Sequence, residues 1–270
     1  MAAFKSALSG NRLLSDNRLD QSGTCMTNTA PDQRSDGLHY IDMRDRVAGR
    51  IASGELKPTD KLPSERQLQE EMGLARGTVR EGLFQLEAEG LIYRRDRSGW
   101  YVSPPPVVYD PTRWEGFISY VEAQGRVPAT ETMSAETIVA DPLLAEVFGR
   151  RAGAPLYMIR RRRHVDGRAV LVEQIVVDAA LTPDLLRFSF DQSLTEILKS
   201  AYGLSVARNV VSMQPCALTG YEAEVLGAKS GLPGLAVQRT SYDAQGRVVE
   251  FDREHWRHDA VRISVDTRVR

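Results

Sequence analysis

Residues 64–73 are the part of the chain whose local structure the sequence constrains most closely. Ser64 precedes Gln67 by three residues, the spacing of a capping box, in which each side chain accepts a hydrogen bond from the other residue's backbone N–H. Gly73 stands where a left-handed residue commonly ends a helix, because glycine adopts that conformation without steric cost. This stretch therefore predicts a short helix with both ends defined.

A second helix follows after a tight link. Val79, Leu83 and Leu86 recur at the spacing of one buried helical stripe, and the pattern ends at Gly90. The link between the two helices leaves room for a turn and for no further element. The pair is therefore predicted to form a helix-turn-helix.

The flanking sequence completes a small domain. A further helix is predicted from His39 to Gly54, on four apolar residues at helical spacing. Downstream, LIYRRDRSGWYV predicts two strands around a polar tip at 96–99. Three helices and a hairpin in this order are typical of a winged helix-turn-helix, whose last helix lies in the major groove of DNA. The four apolar residues are Tyr40, Met43, Val47 and Ile51.

Basic side chains stand at the start of the third predicted helix. Arg76 and Arg80 can each hold guanine O6 and N7 with two parallel hydrogen bonds, and Thr78 can reach a base edge or a phosphate. Arg66, in the helix before, is predicted to contact the phosphate backbone. Acidic and basic residues are equal in number over 37–103, so only clustering can create an attractive face. A solvated helix with paired charges is the alternative.

Composition limits the class of protein. The 270-residue chain has a formal net charge of -1 and is 42% hydrophobic, which is enough for two globular cores and excludes a polyelectrolyte tail. Cys25 and Cys216 give neither a disulfide framework nor a metal-ligand spacing. No apolar run reaches the roughly 20 residues of a membrane helix, and no signal pattern opens the sequence. A cytoplasmic protein without a metal or other cofactor is expected.

The chain is predicted to hold two domains. Residues 1–36 have the polar composition of a disordered tail, and either Met1 or Met26 is the start. The winged helix-turn-helix domain, residues 37–103, is followed by a proline-rich, semi-rigid linker at 104–112, without strand or helix. From 113 to 270, strand-like runs alternate with short helices, which predicts an α+β domain.

A weak internal repeat relates residues 145–170 to residues 223–249. Each copy is predicted to hold a helix, a strand, a tight turn and a second strand. Two such copies can join in one antiparallel sheet with pseudo-twofold symmetry. The matched residues are Gly149 with Gly227, Pro155 with Pro233, and Arg161 with Arg239.

The hairpin of the first copy carries a concentration of charge. Side chains alternate along a strand, so Arg161 and Arg163 share one face. A three-residue turn would place Glu173 on that face, opposite Ile159, whereas a two-residue Asp-Gly turn would place it opposite Arg160 on the other face. The turn therefore decides between a charged site and an exposed salt bridge of little energetic value.

The run LPSERQLQEEMGLARGTVREGLFQLEAEGLIYRRDRSGWYV resembles the DNA-binding domain of the GntR family of bacterial transcription regulators, across nearly all of 39–103. Ala75 stands where family members often carry a helix-capping Ser or Thr. Arg97 stands where they often carry a wing-tip glycine, and it adds an arginine for the minor groove. The residues that the resemblance implies in DNA contact are Arg66, Arg76, Thr78, Arg80, Arg97 and Gly99.

Residues 113–270, which close on WRHDAVRISV, resemble the UTRA effector-binding domain of the HutC branch of that family. The resemblance implies a chorismate-lyase-like antiparallel sheet with flanking helices, and a small polar effector bound above the sheet. Thr195 and Trp256 stand where relatives that bind sugar phosphates often have tyrosine, which implies a different ligand. The implied effector-binding residues are Arg161, Arg163, Glu173, Ser193, Thr195, Glu250 and Trp256.

RSGWYVSP, YDPT, HVDGRAV, FDQSLTEI and HWRHDAVRISVDT are most similar to the subset that regulates phosphonate utilisation, which implies 2-aminoethylphosphonate as effector. Paired guanidinium groups and hydroxyls suit a phosphonate dianion. Glu173 or Glu250 can hold the ammonium group, which the ring of Trp256 can cover. A sugar phosphate and a urocanate-like carboxylate are the alternative effectors.

The sequence contains no Walker motif, no GxSxG elbow and no clustered Cys and His, so an enzyme is not predicted. The alternative is a chorismate-lyase-like enzyme, with the arginines on a carboxylated substrate and Glu173 in proton transfer. A helix-turn-helix that reads two half-sites needs twofold symmetry, so a homodimer held by the second domain is expected on operator DNA. The linker is predicted to transmit effector binding, with repression and activation both open.

Overall fold

The computed structural model describes residues 33–95, 97–113 and 115–267. Its N-terminal part has the predicted order of three helices and a hairpin. The first helix begins at Gln33 rather than at His39, within the segment predicted to be a tail. The rest of that tail, with both candidate start residues, lies outside the described residues. The elements are α1 (Gln33–Ala52), α2 (Glu65–Met72), α3 (Arg76–Ala88), β1 (Ile92–Arg95) and β2 (Gly99–Val102).

The ends of α2 are formed as the sequence predicts. The Ser64 side chain accepts a hydrogen bond from the Gln67 backbone N–H at 3.2 Å, and Gln67 Oε1 accepts one from the Ser64 backbone N–H at 2.9 Å. Gly73 ends the helix in the left-handed conformation, with φ 66°. At the start of α3, Ala75 supplies no side-chain hydrogen bond. The capping box is confirmed, and α3 begins without a side-chain cap.

The predicted stripe of α3 lies in the core of this domain. Val79, Leu83 and Leu86 are fully buried and pack with residues of α1, α2 and the hairpin. At Gly82 a Cβ atom would collide with Met43 of α1, so the two helices approach closely because this position has no side chain. The short helices are thereby held as one unit.

The segment predicted to be a linker is extended, but it also contains a strand, β3 (Val107–Tyr109), which the prediction missed. This strand pairs in parallel with β10 (Val261–Ile263), near the other end of the chain. Val107 and Tyr109 are buried. The connection is therefore packed onto the second domain. Its β-branched and aromatic residues pair with β10, which lies about 150 residues further along the chain.

A six-stranded antiparallel sheet forms the second domain, in the order β4-β5-β6-β9-β8-β7. Each half holds a strand, a helix and a hairpin, and the halves meet at β6 and β9. The predicted α+β class and pseudo-twofold repeat are thus confirmed. A 3₁₀-helix spans Leu185–Arg187. The other elements are α4 (Phe117–Glu122), β4 (Pro128–Val139), α5 (Pro142–Phe148), β5 (Pro155–Val165), β6 (Arg168–Asp178), α6 (Leu194–Tyr202), β7 (Arg208–Leu218), α7 (Gly220–Val225), β8 (Leu232–Tyr242) and β9 (Val248–Arg257).

Helices cover both faces of this sheet. On one face, α4 and α6 pack over apolar residues of β5, β6, β8 and β9. On the other face, α5 and α7 pack over the alternate residues. On the face under α4 and α6, the charged side chains in the middle of the sheet are largely buried and need partners there. On the other face, Arg253 of β9 is exposed.

The hairpin of β5 and β6 differs from both predicted registers. Its turn has two residues, both with positive φ, the case for which Glu173 was predicted to oppose Arg160. A β-bulge beside Arg163 adds one residue to β6 and moves the register by one. Arg161 consequently lies opposite Glu173. Both predicted registers are wrong. Of the two faces that the sequence left open for Glu173, the structure has the one shared with the arginines, which was expected only for a three-residue turn.

Candidate DNA-binding surface and effector cavity

A cavity lies on the sheet face that α4 and α6 cover. Its floor is the middle of the sheet, and its walls are the first turns of the two helices. The cavity has an empty volume of about 490 Å³ when the solvent-filled space at its entrance is included. Six of the seven predicted effector-binding residues line it: Arg161, Arg163, Glu173, Ser193, Thr195 and Glu250.

Two arginines share one carboxylate at the inner end of the cavity. Arg161 Nε donates to Glu173 Oε1 at 2.5 Å, and Arg163 Nε donates to the same oxygen at 2.8 Å. All three side chains are buried. Burial alone would raise the pKa of Glu173, but the two guanidinium groups outweigh it and hold this pKa below the usual value. One negative charge therefore faces two positive charges.

Further contacts hold the two guanidinium groups in place. Arg161 Nη1 donates to the carbonyl oxygens of Phe190 at 3.3 Å and Gln192 at 3.4 Å. Arg163 Nη1 donates to Thr130 Oγ1 at 2.6 Å, and its guanidinium carbon lies 4.9 Å from the centre of the Phe117 ring. These donors are oriented before any ligand arrives.

Strand β9 supplies the acidic side of the cavity. Glu250, Asp252 and Glu254 alternate along the strand and point to one face. Arg239 Nη2, from β8, lies 2.5 Å from Glu254 Oε1. Asp252 is 4% exposed, and its Oδ1 accepts no hydrogen bond within the part of the chain that the structure describes. Burial and the neighbouring Glu250, to which it is hydrogen-bonded, raise the pKa of Asp252 well above its usual value.

Trp256 does not line the cavity. Its side chain is 1% exposed and packs in the apolar cluster beside Phe117, with the ring centres 6.2 Å apart. The indole Nε1 donates to Glu254 Oε2 at 2.8 Å. Its predicted place over a bound cation is therefore wrong, since Trp256 lies below the charged groups and orients Glu254. The aromatic residues that do line the cavity are Phe117 and Tyr120.

The predicted DNA-contacting residues of α2 and α3 lie at the surface. The side chains of Arg66 and Arg80 are 84% and 47% exposed and make long ion pairs, with Glu70 at 3.5 Å and with Glu65 at 3.9 Å. The guanidinium carbon of Arg80 also lies 5.7 Å from the centre of the Phe84 ring. Arg76 is exposed, and Thr78 is half-buried. These side chains are free to meet a DNA groove.

The wing differs in detail from the prediction. Gly99 begins β2 and has φ 109°, a conformation that favours glycine, so the residue shapes the strand rather than the tip. Arg97 is exposed and has φ 54°. Sequence reasoning missed Lys61, whose Cε lies 3.4 Å from the position of a Cβ at Gly99. Lys61 adds a cation beside the wing.

Four buried charges join the two domains, and we call them the interdomain cluster: Glu87, Arg168, Arg257 and Asp259. Arg257 Nη2 lies 3.7 Å from Glu87 Oε1 on α3, and Arg257 Nε lies 3.3 Å from Asp259 Oδ1. Asp259 also pairs with Arg168, whose guanidinium carbon lies 4.0 Å from the centre of the Tyr93 ring. The last residue of β9, which carries the cavity carboxyls, thus touches the third helix of the helix-turn-helix.

Comparison with known proteins agrees with this architecture. A model of the gntR family of bacterial regulatory proteins matches residues 40–102, and a model of the UTRA domain matches residues 123–262. The chain belongs to the GntR family and carries a UTRA domain. In this HutC-type arrangement, the helix-turn-helix is the DNA-binding unit and the sheet is the UTRA domain.

Individual relatives of this GntR regulator span most of its length. It is 28% identical to the HTH-type transcriptional repressor NagR of Bacillus subtilis over 220 residues. The matched region covers 82% of this chain and 90% of NagR. It is 30% identical to the HTH-type transcriptional repressor PhnF of Mycolicibacterium smegmatis over 201 residues. The matched region covers 74% of this chain and 81% of PhnF. These relatives are regulators, so this protein is a transcription regulator and not an enzyme.

A solved structure shows the same fold. The crystal structure of PhnF from Mycobacterium smegmatis superposes with a TM-score of 0.61 at 27% sequence identity, over 84% of this chain and 100% of that chain. Across the described residues, no helix is both long and apolar enough to cross a bilayer. In the same residues, no group of His, Cys, Asp and Glu side chains is arranged to hold a metal ion.

Three charged residues of the UTRA cavity were missed by sequence reasoning: Arg239, Asp252 and Glu254. The internal repeat contains the signal for two of them. Arg161 lies opposite Glu173 in the first copy, and Arg239 lies opposite Asp252 in the second. The match of Arg161 with Arg239 is visible in the sequence, and Arg239 holds the position in β8 that Arg161 holds in β5.

Proposed function

We propose that this GntR regulator binds operator DNA as a homodimer in the cytoplasm and responds to a small zwitterionic phosphonate, with 2-aminoethylphosphonate as the expected effector. The observation that carries the effector class is the division of charge in the cavity. At one end, the two positive charges of Arg161 and Arg163 outnumber the single negative charge of Glu173. At the other end, carboxyl groups have no arginine partner among the described residues. The similarity to regulators of phosphonate utilisation supports the same ligand.

The DNA-binding role is supported by the exposure of Arg66, Arg76 and Arg80, which lie where a helix-turn-helix meets the backbone and the major groove. We further propose that the protein represses its target genes, because NagR and PhnF are named repressors. The effector would then lower operator affinity.

The interdomain cluster is the proposed route between effector and operator. An effector changes DNA affinity only if it binds two arrangements of the domains unequally. β9 carries Glu250, Asp252 and Glu254, and it ends at Arg257, which contacts Glu87 of α3. A shift of β9 on ligand binding therefore acts directly on α3, so coupling through a flexible linker is not needed.

Calorimetric titration tests the effector. Wild-type protein is titrated with 2-aminoethylphosphonate, a sugar phosphate and urocanate, and operator release is followed by fluorescence anisotropy with each ligand. We expect heat of binding and operator release with 2-aminoethylphosphonate alone. Binding of urocanate or of the sugar phosphate, without binding of the phosphonate, would reject the proposed effector. Light scattering of the operator complex tests the dimer, and one chain per operator would contradict it.

A further inference from the structure

Among the described residues, not every charged side chain of the cavity has a partner of opposite charge beside it. Glu173 is shared between Arg161 and Arg163, which leaves one positive charge at that end. Glu254 is paired with Arg239. Of the carboxyl groups that line the cavity, Glu250 and Asp252 remain, and no ion pair joins either to an arginine or lysine of the described residues. The negative end of the cavity is therefore this carboxyl pair.

Asp252 is the member of the pair that points to a missing partner. Its side chain is buried, and its Oδ1 has no hydrogen-bond donor among the described residues. A buried carboxylate oxygen without a donor costs free energy, which a ligand N–H group would remove. Burial and the neighbouring Glu250 raise the pKa of Asp252 well above its usual value, which favours the protonated form of Asp252 while no cation is bound.

The spacing of the two ends suits a small ligand. Arg161 and Arg163 lie on β5, and the carboxyl pair lies on β9, with β6 between them. Two strand spacings make about 10 Å between the backbones. Glu254, and not Asp252, faces Arg161 across β6, so the path from Arg161 to Asp252 is longer than the strand spacing alone. The arginines and the carboxyl pair line one cavity, so a ligand with an anionic end and an amine end can contact both.

We propose that Glu250 and Asp252 form an ammonium-binding subsite, in which the ligand's primary ammonium group donates hydrogen bonds to the unmet Asp252 Oδ1 and to Glu250. The proposal rests on the proposed function and assigns the part of the site that recognises the amine. No covalent bond changes. The acid proton of Asp252 leaves to the solvent, and the ammonium N–H groups donate to the two carboxyl groups, Asp252 Oδ1 included.

Proton release tests this exchange. Wild-type protein is titrated near pH 7 with 2-aminoethylphosphonate and with ethylphosphonate, which lacks the amine, in two buffers of different ionisation enthalpy. After the proton that each phosphonate group itself loses on binding near pH 7 is subtracted, we expect the amine ligand to release up to one proton per site from the protein and ethylphosphonate to release none. Equal proton release by both ligands, or none by either despite binding, would overturn the proposal.

Asp252→Asn tests the residue. The amide keeps a hydrogen-bond donor toward Glu250, as the protonated acid does, but it cannot ionise. We expect this variant to bind 2-aminoethylphosphonate about tenfold to hundredfold more weakly, with affinity for ethylphosphonate unchanged. Glu250→Gln should act in the same direction. Glu136→Gln, which removes an exposed carboxylate on β4 outside the cavity, is the matched control and should change neither affinity. Unaltered preference for the amine in Asp252→Asn would refute the subsite.

A measurement without phosphonate separates this proposal from the proposed function. If neither phosphonate binds, the effector is wrong, and the subsite is then decided with ethanolamine, which carries the ammonium alone. We expect ethanolamine to raise the melting temperature of the wild type and of Glu136→Gln, and to leave Asp252→Asn unchanged. In infrared difference spectra, the wild type should show a protonated carboxyl band at neutral pH that Asp252→Asn lacks. Absence of the band or of the ethanolamine effect would overturn the subsite.

Discussion

Two clusters of buried charge share β6 and β9 and differ in what surrounds them. In the cavity, Asp252 Oδ1 and Arg239 Nε have no hydrogen-bond partner among the described residues, and both residues line the cavity. In the interdomain cluster, guanidinium nitrogens of Arg168 and Arg257 also make no hydrogen bond within the described residues, although Arg257 Nη2 lies 3.7 Å from Glu87 Oε1 of the other domain. An unmet polar group beside a cavity indicates a ligand, whereas the same group between domains indicates a joint that can rearrange.

The interdomain cluster is also unequal within itself. Burial alone would raise the pKa of Asp259, but Arg168 and Arg257 outweigh it and hold this pKa low. Burial raises the pKa of Glu87, and its pair with Arg257 is long, at 3.7 Å. The contacts inside the UTRA domain are therefore the strong ones, and the contact to α3 is the weak one. If the domains separate, we expect the break at Glu87.

The largest effect is expected from Asp259→Ala. The substitution leaves Arg168 and Arg257 buried without their common carboxylate, which should lower the free energy of unfolding by about 3 to 5 kcal/mol. Urea denaturation measures it, with Asp266→Ala as the control at an exposed position. A change below about 1 kcal/mol would mean that the cluster is hydrated and not buried.

A smaller loss of stability is expected from Glu173→Gln. Arg161 and Arg163 lose their shared carboxylate, but water and anions can enter the cavity, so the cost should be about 1 to 3 kcal/mol. The freed guanidinium groups should bind inorganic phosphate more tightly than the wild type does. Urea denaturation with and without phosphate checks both statements. If phosphate stabilises the two proteins equally, the arginines are not an anion site.

Arg76→Ala should act on DNA and leave the fold intact. We expect a loss of about 1 to 3 kcal/mol in operator binding and a relaxed preference at one base pair. Fluorescence anisotropy with single-base operator variants measures both. Arg46→Ala, which removes the same charge from exposed α1, is the control. An equal loss of operator affinity in the two variants would mean that Arg76 contributes only its charge and no base-specific contact.

The smallest effect is expected from Glu87→Gln, and it depends on pH. Glu87 faces Arg257, Asp259 and Arg168, and the backbone N–H of Arg94. Because its folded pKa is raised, the folded state binds the proton more tightly, and this stability is lost as pH rises from the unfolded pKa through the folded one. Glu87→Gln has no such group to titrate, so its stability does not fall in this way. We therefore expect the melting temperature of the variant, relative to that of the wild type, to rise between pH 4 and pH 7. A gain toward low pH would contradict the raised pKa.

Much of the fold was predictable because its signals are local. The capping box of Ser64 and Gln67 and the stop at Gly73 depend on neighbours within one or two turns. The internal repeat likewise predicted two matching halves of a sheet. The strand at Val107–Tyr109 was not predictable in this way, because its partner comes from the opposite end of the chain.

The candidate site was predictable in part. Arginine in the middle of an apolar strand marked Arg161 and Arg163, since a buried charge there needs a partner. The alternating acids of β9 resemble a solvated edge in the sequence, so Asp252 and Glu254 were missed. Glu87 similarly resembles an ordinary surface residue of a helix.

The sequence by itself determined the order of three helices and a hairpin in the N-terminal domain, the ends of α2 and which arginines stand at the start of α3. Only the tertiary structure decided that Glu173 opposes Arg161, that Trp256 lies beneath the cavity and that Asp252 is buried in the cavity beside Glu250. The reason is physical. Helix ends depend on residues close in the chain, whereas a β-bulge, burial and the state of a carboxyl group depend on side chains brought together from distant strands.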